Sequence, residues 1–196
     1  MVNSPHDSLF RYTFGQPEHA AALLRTVLPP EVVGALDWST LTLLEGTRLD
    51  RDLRRHQTDL LFEIRRVTGG TVYLLLLVEH SSRVVRWMVI RMLDYVLGLW
   101  RDLLREDPGR RSLPCVMPVV VHHGREAWWA ATELTELLEG ADADQPWRQP
   151  VFRYAVKSTA ELTPQQVDGL ALTLLGKLTL AAMQFVPPAG ASSLAE

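Results

Sequence analysis

Cysteine occurs once, at Cys115, which excludes an intrachain disulfide framework and any zinc site built from several thiolates. That thiol lies in the apolar run 115–121 and is expected to be a small core residue rather than a nucleophile. Long hydrophobic stretches are missing too. The longest uninterrupted apolar run is 72–78, far short of the roughly 20 residues that a membrane-spanning helix needs. The opening MVNSPHDSLF lacks the basic-then-apolar pattern of a signal peptide. A soluble, cytoplasmic protein with no membrane partner is therefore expected. There is no Gly-rich phosphate loop, no G-x-S-x-G turn and no internal repeat, so the sequence offers no case for P-loop or serine-hydrolase chemistry. Lysine is nearly absent, with Lys157 and Lys177 set against eighteen arginines. A net charge of −3 excludes a protein that coats DNA through bulk positive charge, but it permits a local basic patch.

Six of the arginines fall between Arg48 and Arg66. Arginine suits bidentate contacts with phosphate. Asp50, Asp52, Asp59 and Glu63 are interleaved with them, so a solvated, salt-bridged face explains the pattern equally well. With 196 residues, 47% hydrophobic and 22% charged, the chain has ordinary globular composition and the length to bury a sizeable core. One domain is expected over 1–186, followed by a small Pro/Gly/Ser-containing tail, 187–196, expected to be mobile.

The most informative stretch is 59–82, DLLFEIRRVTGGTVYLLLLVEHSS. Two strand-length apolar runs flank Gly69-Gly70 and predict a β-hairpin. Asp59 opens the first run and Glu79 closes the second. A three-residue loop, Thr68-Gly69-Gly70, sets Asp59 opposite Glu79. Leu60, Phe62, Ile64, Val72, Leu74, Leu76 and Val78 then form a wholly apolar face, and Asp59, Leu61, Glu63, Arg65, Tyr73, Leu75, Leu77 and Glu79 form the other. A one-residue slip would exchange the faces, so the pattern is expected to select this register. Burying two carboxylates unpaired at one end of a hairpin is costly, so they read either as a metal site or as a strand-start cap at Asp59 and an arginine-paired Glu79.

Elsewhere the chain predicts helices at 8–14 and 17–28, a helical turn at 31–36, and a strand near 40–48. A long amphipathic helix follows over 84–106, with Arg91, Asp94, Gly98, Arg101, Asp102 and Arg105 on its polar stripe. A buried central strand is expected at 115–121, ending at His122-His123-Gly124. After it come a helix at 128–138, an acidic loop at 139–150, a strand at 151–157 and a helix from Thr163-Pro164 to about 184. The result is an α/β fold, a mixed sheet with helices on both faces.

The order α-β-β-β-α-β, with Asp at the start of the second strand and Glu at the end of the third, resembles the PD-(D/E)XK nuclease core. His6-Asp7 with Leu9-Phe10, Leu36-Asp37-Trp38, Asp59-Leu60-Leu61-Phe62, Val78-Glu79-His80-Ser81-Ser82, Met88 with Arg91-Met92-Leu93 and Tyr95, Pro114 to Val121, and Gly124 with Trp128 follow in order. As an ordered set over about 6–185 they resemble the Rpn family of recombination-promoting nucleases, also called transposase-31-like or YhgA-like. The resemblance implies a Mg²⁺-dependent (Mn²⁺-tolerant) DNA endonuclease of the PD-(D/E)XK superfamily, acting in recombination or mobile-element activity. It implies Asp59 and Glu79 as metal carboxylates and the His80 main-chain carbonyl as a further ligand. Such an ion neutralises charge at the scissile phosphate and activates water.

The sequence departs from the family at Ser81, where the family usually has Gln in place of the superfamily lysine. The shorter hydroxyl bears on catalysis more than on fold. Arg65, on the predicted Asp59 face, is a candidate to supply the missing positive charge or to contact phosphate. Arg91 is a candidate DNA contact, with solvated surface as the alternative. His122 and His123 read as polar strand caps or as ligands, Asp50 as a marginal site candidate, and Glu63 as an arginine partner. Three functions stay open: a metal-dependent DNA endonuclease, a nuclease-fold protein that binds DNA without cutting it, and a non-enzymatic interaction domain. Homo-oligomerisation is compatible with each.

Overall fold

The structure is a computed structural model that describes residues 5–44, 60–79 (backbone alone at 77–79), 84–123, 126–139 and 150–186. Five strands form one sheet in the order β1-β2-β3-β4-β5. Strands β1 (Leu36–Leu43), β2 (Leu60–Arg66) and β3 (Thr71–Glu79) are antiparallel neighbours, and β4 (Cys115–His122) and β5 (Ala155–Ser158) join in parallel. Parallel neighbours cannot be joined by a tight turn, and α4 (Met88–Glu106) makes the crossover from β3 to β4. Helices α1 (Pro5–Phe14), α2 (Pro17–Val27) and α3 (Pro30–Gly34) precede the sheet, and α5 (Pro164–Asp168) and α6 (Leu174–Phe185) follow it. The predicted α-β-β-β-α-β order is therefore present, in a mixed sheet.

Strand alternation sorts the core into two layers. Leu60, Phe62, Ile64, Val72, Leu74 and Leu76, with Val119 and Val121, pack under Phe10, Phe14, Leu23, Leu24, Leu180 and Met183 of α1, α2 and α6. Leu61, Tyr73, Leu75 and Val120 pack on the other side against Met88, Met92, Tyr95, Leu99 and Leu103 of α4. Burial on both faces accounts for the near-continuous apolar reading of β3. Each fully buried large side chain contributes about 1.5–3 kcal/mol.

Among the described core side chains the predicted faces are those observed, but the hairpin register is not. Leu60 faces Leu76, where the expected loop would have set it against Val78. The turn occupies 67–69, closed by Arg66 N–H donating to the Gly70 carbonyl at 2.9 Å. The two registers differ by two residues and share one parity, so hydrophobic alternation cannot tell them apart. Turn geometry does: Gly69 and Gly70 have φ of 90° and 89°, a conformation open to glycine at little cost.

Other differences have local causes. Strand β1 starts at Leu36, four residues before the expected strand, and carries a bulge between Asp37 and Thr42. There Asp37 Oδ1 accepts from Ser39 Oγ at 2.6 Å, and Thr40 Oγ1 accepts from Arg65 N–H at 2.9 Å. These short polar side chains replace ladder bonds on an edge strand. Helix α4 begins at Met88 rather than 84, and Gly98 of the predicted polar stripe is buried. The helix expected at 128–138 shrinks to a 3-10 turn, Leu134–Leu137, with a Glu133–Glu136 capping box. The strand expected at 151–157 is confined to Ala155–Ser158, with Arg153 making only an isolated bridge to Glu133. The last predicted helix splits in two, because Thr173 caps a new start by accepting from Gly176 N–H at 3.1 Å. Cys115, expected in the core, is exposed as the first residue of β4. The tail 187–196 lies outside the described residues, and no described helix is long and apolar enough to cross a membrane.

Candidate active site at the ends of the parallel strands

In open α/β sheets, ligand sites gather beyond the carboxyl ends of the parallel strands, where side chains escape the packed layers. Here that end is a row of three paired residues: Glu79 of β3 faces His122 of β4, which faces Ser158 of β5. Neighbouring strands are about 4.8 Å apart, so this ladder brings together residues that are distant in sequence. Of the predicted site residues, Glu79 is thus placed as the last residue of β3. Asp59, His80, Ser81 and Asp50 lie outside the described residues.

Arg65 is placed far from this end. It pairs with Thr71, at the turn end of the hairpin, eight residues along β3 from Glu79 and so roughly 26 Å away. It cannot supply positive charge at Glu79. Arg91 lies in the first turn of α4, half-buried, with its guanidinium 5.6 Å from the Tyr95 ring centroid and its Nε donating to Tyr95 Oη at 3.1 Å. This cation is engaged along its own helix. Glu63 is half-buried between Thr42 and Tyr73.

His122 is not a surface cap. It is 0% exposed. Its Nε2 sits 2.8 Å from the Glu126 carbonyl; since a carbonyl only accepts, Nε2 carries the proton. Its Nδ1 is buried and has no hydrogen-bond partner among the described residues. The ring meets Trp128 edge-on at 5.1 Å, and Trp128 meets Tyr154 at 6.3 Å. Trp128 Nε1 donates to Ala130 O at 3.0 Å and Tyr154 Oη to Ala131 O at 2.9 Å, so this aromatic wall is tied to the backbone. Burial pushes the Tyr154 phenol well above its ordinary range. The same wall explains the lost helix at 128–138, because Trp128 and Ala130 are held in irregular chain rather than in helical turns.

The next residue along, His123, meets His6 of α1 at 5.8 Å between ring centroids. The first turn of α1, with buried His6 beside Asp7, therefore reaches the same end of the sheet. His6 and Asp7 were legible only as part of the family wording. Nothing in their spacing signals proximity to residues more than a hundred positions away, and only the packing of α1 shows it.

Comparison with known proteins matches residues 4–174 to a family model described as "Putative transposase, YhgA-like". The chain is 32% identical over 125 residues to "Recombination-promoting nuclease RpnA" of Escherichia coli K12, which covers 64% of this chain and 42% of that protein. It is 29% identical over 144 residues to "Recombination-promoting nuclease RpnD" of Escherichia coli O157:H7, covering 72% and 55%. It is also 27% identical over 123 residues to "Inactive recombination-promoting nuclease-like protein RpnE" of Escherichia coli K12, covering 63% and 40%. The matches thus span about two-fifths to just over half of these relatives' lengths. No solved structure gives a significant match.

Proposed function

The chain belongs to the YhgA-like transposase family, and on that premise we propose that it is a divalent-metal-dependent DNA endonuclease that hydrolyses phosphodiester bonds in recombination or mobile-element activity. The observation that carries this reading is Glu79, a carboxylate-bearing residue that closes β3 at the carboxyl end of the parallel strands, inside the family match. Relatives named recombination-promoting nucleases support it.

The donor set of this reading fits a hard cation: the Asp59 and Glu79 carboxylates and the His80 main-chain carbonyl are all oxygen donors, as Mg²⁺ or Mn²⁺ requires. When bound, such an ion neutralises charge on the scissile phosphate and lowers the pKa of bound water. The chain's own part is to hold these oxygens rigidly. Strand β3 does so for Glu79, which pairs with His122 of β4 at the end of a strand set over two buried layers. Ser81 would orient the attacking water through a short hydroxyl, and DNA would lie across the open strand ends with arginines on its phosphates. Plasmid nicking with Mg²⁺ or Mn²⁺ against EDTA tests the reading. Asp59→Asn and Glu79→Gln should each abolish cation-dependent nicking without unfolding the protein, because each removes an anionic ligand at constant volume. A folded double variant that nicks as fast as wild type would refute it.

A second reading is favoured by Ser81 and by the relative named inactive: a nuclease-fold protein that binds DNA without cutting it. Salt-dependent DNA retention with no nicking in either metal would select it.

A further inference from the structure

The imidazole of His122 is held from two sides, by the Glu126 carbonyl on Nε2 and by Trp128 at the ring. With the proton on Nε2, the neutral ring presents a lone pair at Nδ1. That atom is shut off from solvent and without a partner among the described residues. A buried acceptor left unpaired is unfavourable, and in a native protein it asks for the group that completes it. The ladder supplies the direction of the answer. Glu79 is the direct neighbour of His122 across β3 and β4, and strand alternation reaches Glu79 at the parity of Tyr73 and Leu75, which pack with Val120 on the α4 side. The register thus pairs a carboxylate-bearing residue with one whose ring nitrogen is an unpartnered acceptor, and a cation is a group that two such acceptors can share. A ligating histidine also commonly donates its other ring N–H to a backbone carbonyl, which fixes tautomer and ring orientation. The Nε2 bond to Glu126 is that arrangement.

We propose that His122 Nδ1 is a nitrogen ligand to the divalent cation bound beside Glu79, and that it shifts the site's preference from Mg²⁺ toward Mn²⁺. This rests on the metal-dependent reading above and adds a ligand to it. Mg²⁺ takes oxygen donors almost exclusively, whereas imidazole suits first-row transition ions, so a mixed nitrogen–oxygen set moves selectivity in that direction.

The test uses the full chain with Mn²⁺ as the probe, read by electron paramagnetic resonance. Titration measures affinity, and pulsed spectra on protein with ¹⁵N-labelled histidine detect a directly bound ring nitrogen. Expected are a histidine coupling in wild type, its loss in His122→Gln, and a fall in Mn²⁺ affinity of about tenfold or more, with Mg²⁺ affinity nearly unchanged. Should His122→Gln fail to fold, the coupling in wild type must persist in His6→Gln, His19→Gln, His56→Gln, His80→Gln and His123→Gln, which leaves His122 as its source. Mn²⁺ bound without histidine coupling, or a coupling that survives in folded His122→Gln, overturns the ligand assignment and leaves the nuclease reading standing. Failure of wild type to bind Mn²⁺ at all overturns both.

Discussion

Helix α1 carries His6 to the strand ends, and a buried polar contact between it and α6 has a strength that can be worked out. Thr13 Oγ1 and Thr179 Oγ1 lie 2.8 Å apart, at 0% and 1% exposure, so water cannot replace either partner. Replacing one threonine by valine keeps the shape but leaves the other hydroxyl buried and unpaired, which costs about 1–3 kcal/mol. Taking about 2 kcal/mol as central, each single variant should lower the melting temperature by about 4–8 °C for a chain of this size. The double variant Thr13→Val/Thr179→Val removes both hydroxyls together, so no orphan remains, and it should cost no more than about 1–2 kcal/mol. A double-mutant cycle by urea unfolding should then give a coupling of about 2 kcal/mol or more. If the double variant instead loses the sum of the singles, the two hydroxyls do not interact and α1 is held by apolar packing alone.

Further outcomes follow from the turn, the aromatic wall and the family departure. Gly70→Ala forces a Cβ into φ of 89° and should destabilise by about 1–2 kcal/mol, measured as a lower urea midpoint at unchanged slope. The Tyr154 phenol is raised by burial above its unfolded value of about 10. Its contribution is therefore fully present below pH 10 and is lost as pH rises through the folded value, because the unfolded chain ionises first. Stability should decline above pH 10, and Tyr154→Phe should flatten that decline; an unchanged alkaline slope would count against the assignment. Ser81→Gln should raise nicking by about two to three decades if a longer donor–acceptor group contacts the water or phosphate, with metal affinity unchanged. A large loss of activity would mean that Ser81 is itself tuned for its place.

The sequence by itself determined the architecture and the parity of the hairpin. The alternation of Leu60, Phe62 and Ile64 against Val72, Leu74 and Leu76 admits one apolar face, and a mispaired parity would bury charge. The long period of α4 and the apolar run of β4 were equally plain, because a buried surface must repeat at the period of its element. The tertiary structure decided what depends on distant partners. It chose between registers of equal parity through two glycines at positive φ, carried Arg65 to the far end of β2, and exposed Cys115 at the mouth of β4. It also turned 128–133 into irregular, non-helical chain, because Trp128 packs on His122 and Tyr154. Above all, it set His122 beside Glu79 and His6 beside His123. Periodicity records which face of an element is buried, but not which other element covers it, so these neighbours exist only once the sheet is assembled.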